Sequence, residues 1–221
     1  YQETNVGGTL NLLEAARANG VGRFVFASSS SVYGDEARQP LSEEEAGLKP
    51  VSPYGQTKLT GEQLCRMYHR VHGLPVSILR FFTVYGPRQR PDMAIHKFTR
   101  LIWEGKEIPV YGDGSSRRDY TFIADIVAGA LAAWERTDGF EIYNLGGGRP
   151  VALKDLLALL GGLLGRPVRS SPRPAPRGDM RETWADVSKA GRLLGFRPRT
   201  RIEAGLKIFV EWFRRGREET R

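Results

Sequence analysis

Apolar positions along the chain follow two patterns, a helical repeat near 3.6 residues and short unbroken runs, and their alternation sets out the elements. Val6, Thr9, Leu10 and Leu13 share one helical face and predict a helix over about Glu3 to Asn19, closed by Gly20. Arg23 to Ala27 is a continuous, mostly apolar run of strand length, the pattern of a strand buried on both faces of a parallel sheet. Ser28 to Gly34 reads as a polar turn. Ser52 is a favoured helix cap and Pro53 suits the first helical position, so a second helix starts there. Leu64, Met67, Tyr68 and Val71 carry its apolar stripe to about Gly73. Val76 to Phe82 is a second buried-type strand, and Thr83 to Pro91 is rich in turn residues.

Strand, helix and strand in this order predict a doubly wound α/β fold with a parallel sheet. Ligands in such folds sit at the carboxyl ends of the strands, which here are Ser28 to Ser31 and Thr83. Further on, Ala94 to Glu104 should be helical, Ile108 to Tyr111 a short strand, and Gly112 to Gly114 a turn. Val127, Ala130, Leu131 and Trp134 form the next helical face, with Asp125 as a cap near its start. Glu141 to Leu145 follows as a strand, Gly146 to Pro150 as a turn, and Leu153, Leu156, Leu157 and Leu160 as an amphipathic helix. Arg166 to Arg177, with repeated Pro and Arg, reads as a loop. These later segments predict a smaller mixed lobe around the sheet.

Composition narrows the function classes. Forty per cent hydrophobic and 26% charged residues are ordinary for a globular protein. The formal charge of +8 and a pI near 9.8 suggest an anionic partner, whether nucleic acid, lipid or a phosphorylated small molecule. The arginines are scattered, however, and the run Arg214, Arg215 and Arg217 ends an apolar helix as a solvated, dipole-favourable terminus. Cys65 is the single cysteine, which excludes an internal disulfide and suits a reducing, cytoplasmic location. No apolar run approaches the roughly 20 residues of a membrane span. His69, His72 and His96 form no ligand-spaced cluster with Cys65, so no metal is expected.

Candidate chemistry begins with "SPYGQTK" at 52–58. Tyr54 and Lys58 lie four apart on a helix and stack one turn above the other. A tyrosine titrates near 10, and a neighbouring cation favours its phenolate, so the pair could act as a base near neutral pH. Taken alone, the spacing fits equally a Tyr-Lys pair on a solvated helix face.

Further motifs decide between these. "FASSSSVYG" (26–34), "SPYGQTK" (52–58), "LRFFTVYGPRQRPDM" (79–93), "VYGDGSSRRDYTFIAD" (110–125), "YNLGGG" (143–148) and "GDMRETWADVSKA" (178–190) form an ordered series. It resembles the extended short-chain dehydrogenase/reductase family, in particular the nucleotide-sugar 4-epimerases, over almost the whole chain. The resemblance implies a Rossmann-like domain holding NAD and a smaller lobe holding a UDP-sugar. Residues 1–92 would be the remaining part of the NAD domain and 93–221 mainly the sugar-nucleotide lobe, with about 120–148 returning to the sheet.

By motif position Ser29, Tyr54 and Lys58 match the family's catalytic residues, and Asn5 and Phe82 match positions beside the cofactor. Dehydratases of the family carry Asp-Glu after the catalytic hydroxyl residue, and many decarboxylases carry Glu two residues after it. Ser30 and Ser31 stand there instead and cannot serve as acid and base at neutral pH. "RFFTVYGP" followed by "RPDM" is similar to the UDP-glucuronate 4-epimerases. Ser30, Ser31, Thr83 and Arg90 could hold a C6 carboxylate by charge-assisted hydrogen bonds, or the hydroxyls could simply satisfy turns. The resemblance also implies Arg118 at the diphosphate, Tyr111 against the base, and Arg177 and Asp179 at the uridine ribose. Arg117 is expected to be an exposed neighbour. A homodimer through the Tyr54 helix is the family's usual assembly.

The family's glycine-rich phosphate loop is not found in the sequence. Tyr1 maps after the family's third strand, so about 80 to 90 residues of the first mononucleotide-binding half are expected to precede it in a longer protein. The edge of Arg23 to Ala27 should then be unpaired. A reading from another class stays open, a non-catalytic protein on the same scaffold that binds RNA or another anion. The retained Ser29, Tyr54 and Lys58 set argues against nucleic acid and for the NAD-dependent enzyme.

Overall fold

A computed structural model describes residues 1–174 and 182–218. In chain order, a π-helical turn (Gln2–Gly7) runs into α1 (Gly8–Ala18), followed by β1 (Phe24–Ser29), a 3-10 turn (Ser30–Val32), α2 (Pro53–His72), β2 (Val76–Phe81), β3 (Thr83–Tyr85), α3 (Ala94–Trp103), β4 (Ile108–Tyr111) and β5 (Arg117–Phe122). Then come α4 (Ile123–Arg136), β6 (Phe140–Leu145), β7 (Pro150–Ala152), α5 (Leu153–Leu164), β8 (Ser170–Arg173), β9 (Glu182–Thr183), α6 (Ser188–Leu194) and α7 (Ile202–Glu218). The fold is α/β with parallel pairing at its centre.

β1, β2 and β6 form a parallel sheet with β2 in the middle, and their carboxyl ends are level, Ser29 opposite Phe81 and Phe81 opposite Leu145. β2 is buried from Val76 to Arg80, because helices cover both faces. Phe26, Val76 and Ile78 pack with Leu13 of α1 and Cys65 and Tyr68 of α2. On the other face Leu79 and Leu145 pack with Ile126 of α4 and Leu194 of α6. Among the described residues β1 pairs on one side only, with β2.

The chain passes from β2 almost directly into β3, which pairs parallel with β5. β5 also pairs antiparallel with β7 and parallel with β9, and β4 pairs parallel with β8. Ile95 and Ile102 of α3, Leu156 and Leu160 of α5, and Leu206 and Phe209 of α7 form a separate core beside these short strands. The β1–β2–β6 sheet and this lobe meet where β2 becomes β3.

Helix α2 starts and stops where its chemistry dictates. Ser52 Oγ accepts from Gly55 N–H at 3.0 Å, and Gly73 closes the helix in the left-handed region at φ 69°. Other expectations need correction. Val127, Leu131 and Trp134 lie on the exposed side of α4, whereas Ile126, Gly129 and Ala133 are buried. Small residues win this face because Gly129 lets Phe196 and Leu145 approach. Met67 and Val71 of α2 and Leu10 of α1 are exposed too. Asp125 does not cap α4; its carboxylate accepts from Thr200 N–H at 2.9 Å and ties in the C-terminal segment. Thr83 to Pro91 is not wholly turn, since it contains β3, and the segment after Arg166 contains β8. Both are short strands specified by distant partners.

Gly61 is where α2 comes closest to β1: a Cβ there would run into the buried Phe26 ring. Gly61→Ala is expected to lower stability by about 1–2 kcal/mol, because overpacking outweighs the helix-propensity gain. Gly162→Ala, on α5 with open space around it, should raise stability by about 0.5–1 kcal/mol. Urea midpoints at constant slope measure both, and a Gly61→Ala protein as stable as its parent would refute the close-packing account.

Candidate active site

At the carboxyl ends of β1 and β2 the chain leaves a cleft of about 610 Å³. One wall is the end of β1 and the turn that follows. Ser29 caps that turn, its Oγ accepting from Ser31 N–H at 3.2 Å and donating to Ser31 Oγ at 3.2 Å. Ser30 and Ser31 line the same wall. The second wall is the first turn of α2, which presents Tyr54 to the cleft. Phe82, Thr83 and Arg90 complete the lining, so these seven sequence-selected residues meet in one place.

Lys58 and Asn5 sit in supporting positions. Lys58 Nζ donates to the Ala27 carbonyl at 3.0 Å and lies 5.9 Å from the Tyr54 ring centroid. Its burial holds its pKa below the ordinary lysine value. The Asn5 amide donates to Thr57 Oγ1 at 3.0 Å, and Thr57 Oγ1 donates to the Tyr54 carbonyl at 2.9 Å. Thr57 thus links the N-terminal segment to the turn that carries Tyr54. The sequence pattern does not single it out, although it lies between Tyr54 and Lys58 in the same motif.

Arg90 lies at the cleft but already has a partner, forking onto Asp92 with bonds of 3.1 and 2.8 Å. Arg88 carries no distinguishing signal in the sequence, yet it lines the same cleft in the left-handed region at φ 66°, a conformation uncommon outside glycine. Gln89 between them braces the loop, donating to the Val84 carbonyl at 2.9 Å and accepting from His96 N–H at 3.1 Å. Phe82 is largely buried and also packs with Val32, Tyr33 and Leu41.

The remaining selected residues are not part of this lining. Tyr111, at the end of β4, is exposed, and Arg118 on β5 donates to the Arg117 carbonyl at 3.0 Å. Arg117 is exposed as expected and pairs with Glu182 at 3.5 Å. Arg177 and Asp179 lie outside the described residues. Among the described residues no group of three or more His, Cys, Asp or Glu could hold a metal, and no helix is long and apolar enough to cross a membrane. Burial pushes the Cys65 thiol up to about 12, which leaves it unreactive. A phenol, an amine one turn away and a row of hydroxyls suit proton transfer at a substrate oxygen.

Known proteins resemble this chain over nearly its whole length. A UDP-glucuronate 4-epimerase of Thermodesulfobacterium geofontis is 42% identical over 213 residues, covering 96% of this chain and 65% of the relative. The chain therefore spans about two thirds of the length of such relatives. The crystal structure of a UDP-glucuronic acid 4-epimerase from Bacillus cereus, in complex with UDP-glucuronic acid and NAD, superposes with a TM-score of 0.91 at 38% identity, over 97% of this chain and 68% of that one. A UDP-glucose 4-epimerase from Thermotoga maritima, solved with UDP-glucose, gives a TM-score of 0.91 at 36% identity, over 97% of this chain and 70% of that one. The family model for the NAD dependent epimerase/dehydratase family matches residues 1–146. By that match and these likenesses, this chain belongs to the NAD dependent epimerase/dehydratase family.

Proposed function

We propose that the whole protein is an NAD-dependent UDP-sugar 4-epimerase that favours UDP-glucuronate over UDP-glucose. The observation that carries the reading is the cleft in which Ser29, Tyr54 and Thr83 converge above Lys58. Its likeness to epimerases solved with NAD and UDP-sugars supports the cofactor and substrate class. The residues present fit one end of a dinucleotide: Tyr54 and Phe82 line a cleft at the carboxyl ends of parallel strands, with Lys58 and Asn5 behind them. The glycine-rich loop that would take the pyrophosphate is not in these 221 residues.

In this reading Tyr54 removes the proton of the sugar 4-hydroxyl, and Ser29 holds the reacting oxygen by a hydrogen bond. When bound, NAD would supply the hydride acceptor for C4 and the hydride for its other face, so no net redox change would result. Lys58, half-buried and anchored on the Ala27 carbonyl, places a positive charge near Tyr54. Tyr54 gives the proton back to the oxygen when the C4 carbonyl is reduced. Ser30, Ser31, Thr83 and Arg90 receive the C6 carboxylate, while Arg118, Arg177, Asp179 and Tyr111 serve the nucleotide. Residues 1–92 belong to the cofactor half and 93–221 mainly to the sugar-nucleotide lobe. β6 lying beside β2 supports the return of about 120–148 to the β1–β2–β6 sheet. A cytoplasmic homodimer through α2 is supported by its exposed Met67 and Val71.

The whole protein, incubated with NAD and either UDP-glucuronate or UDP-glucose and followed by proton NMR, should invert C4 faster with the glucuronate. Tyr54→Phe should lower kcat by about 10²–10⁴-fold with KM little changed, as expected for a lost acid–base group. Turnover unaffected by Tyr54→Phe would defeat the reading. Arg90→Ala should raise KM for UDP-glucuronate by about tenfold and leave that for UDP-glucose within about twofold, matching one charge-assisted contact. Equal effects on both sugars would remove Arg90 from carboxylate recognition. Only the neutral amine reacts in competitive acylation, so a lowered pKa means Lys58 should begin to react at lower pH than an ordinary lysine. Its labelling midpoint should fall below 10.5, and a midpoint at or above that value would contradict the burial described.

A further inference from the structure

The stripe that carries Tyr54 and Lys58 runs one turn further to Glu62, because positions four apart share a helix face. Glu62 is 4% exposed and Arg80, on β2, 2%. The Arg80 guanidinium forks onto the carboxylate, Nε to Oε1 at 3.0 Å and Nη2 to Oε2 at 2.8 Å. Ser28 Oγ donates to the same Oε1 at 2.5 Å. Ser28 and Arg80 are register partners across β1 and β2. Arg80 also lies 4.7 Å from the Tyr33 ring centroid, and its Nη1 is without a hydrogen-bond partner among the described residues.

Two consecutive residues of β1 are therefore fastened to consecutive turns of α2, the Ala27 carbonyl to Lys58 and the Ser28 hydroxyl to Glu62. Ser28 itself borders the cleft, and the next residue is Ser29. A buried ion pair is a poor choice if the need is only to hold a helix on a strand, since apolar residues of the same volume do that at least as well. A forked guanidinium–carboxylate pair adds a fixed distance and angle.

We propose that Arg80, Glu62 and Ser28 are positioning residues, which set the height of α2 against β1 so that Ser29, Tyr54 and Lys58 converge on one reacting oxygen. This rests on the acid–base reading of Tyr54. None of the three is assigned a contact with the substrate; they act through Ser29 and through the α2 stripe.

The test compares Ser28→Ala and Glu62→Gln with Ser77→Ala in the whole protein. Ser77 supplies a fair control, because it loses an equally buried hydroxyl pair, 2.6 Å to Thr137, away from the cleft. Three readouts are taken: kcat and KM for both UDP-sugars, the urea midpoint, and amide hydrogen exchange in residues 29–32 and 54–58. Ser28→Ala should lower kcat about tenfold or more with KM within about twofold, since misplaced reacting groups lose rate before binding. Exchange in 29–32 should speed by at least about fivefold, as a local opening would require. Ser28→Thr keeps the hydroxyl and should recover kcat to within about threefold. Ser77→Ala should shift the urea midpoint alone. Ser28→Ala matching Ser77→Ala in kcat and exchange overturns the proposal, and this comparison holds even where Glu62→Gln fails to fold. If Tyr54→Phe retains turnover, or no sugar is turned over, the acid–base reading fails separately. The exchange rates then decide the tie: faster exchange at 29–32 in Ser28→Ala sustains it, and unchanged exchange overturns it.

Discussion

The close contact of α2 with β1 is the constraint on which the rest of the structure depends. A glycine at the crossing, Gly61, lets the helix settle against the Phe26 ring, and beside it Glu62 reaches both Arg80 and Ser28. Burial works against the Arg80 charge, but the Glu62 carboxylate beside it overrides burial and holds the guanidinium above its ordinary range. Removing one partner of such a pair typically costs about 3–5 kcal/mol, because the other charge is left stranded. With the helix body fixed this way and its first turn set by Ser52 and Pro53, the placement of Tyr54 and Lys58 follows.

Much of this is legible from local chemistry. The cap at Ser52, the stop at Gly73, the two unbroken strands and the four-residue step from Tyr54 to Lys58 each depend on neighbours close in sequence. The strands that escape a sequence reading are short or polar. "RRDYTF" of β5, "PVA" of β7 and "SSPR" of β8 carry no strong periodic signal, and they become strands because distant segments supply their backbone partners. The exposed side of α4 misleads for a related reason. Leu131 and Trp134 are the larger side chains, yet the buried side goes to residues small enough to approach the sheet. Glu62 and Arg80 are invisible in the sequence because each, read alone, is an ordinary charge on a helix or a strand.

The three-glycine loop at 146–148, expected only as a turn, also holds an anion. Gly147 and Gly148 N–H groups do receive an anion, and it is the chain's own Asp119 carboxylate, at 2.6 and 2.9 Å. Ala185 N–H, at 3.1 Å, and Thr121 Oγ1, at 3.1 Å, donate to it as well. Burial pushes the Asp119 carboxyl up, and these four donors oppose the shift. A side chain at Gly146 or Gly147 would meet the carboxylate oxygens, so the loop needs glycine for close approach.

Asp119 belongs to β5, in the sheet with β3, β7 and β9, while the loop it anchors leaves β6 of the β1–β2–β6 sheet. Neither part can open without stripping a fully buried carboxylate of its donors, and a single residue, Phe82, separates β2 from β3. The two halves of the fold are therefore coupled through this carboxylate. Heating should melt them together, with calorimetric and van't Hoff enthalpies that coincide, although the halves have separate cores and different strand pairing.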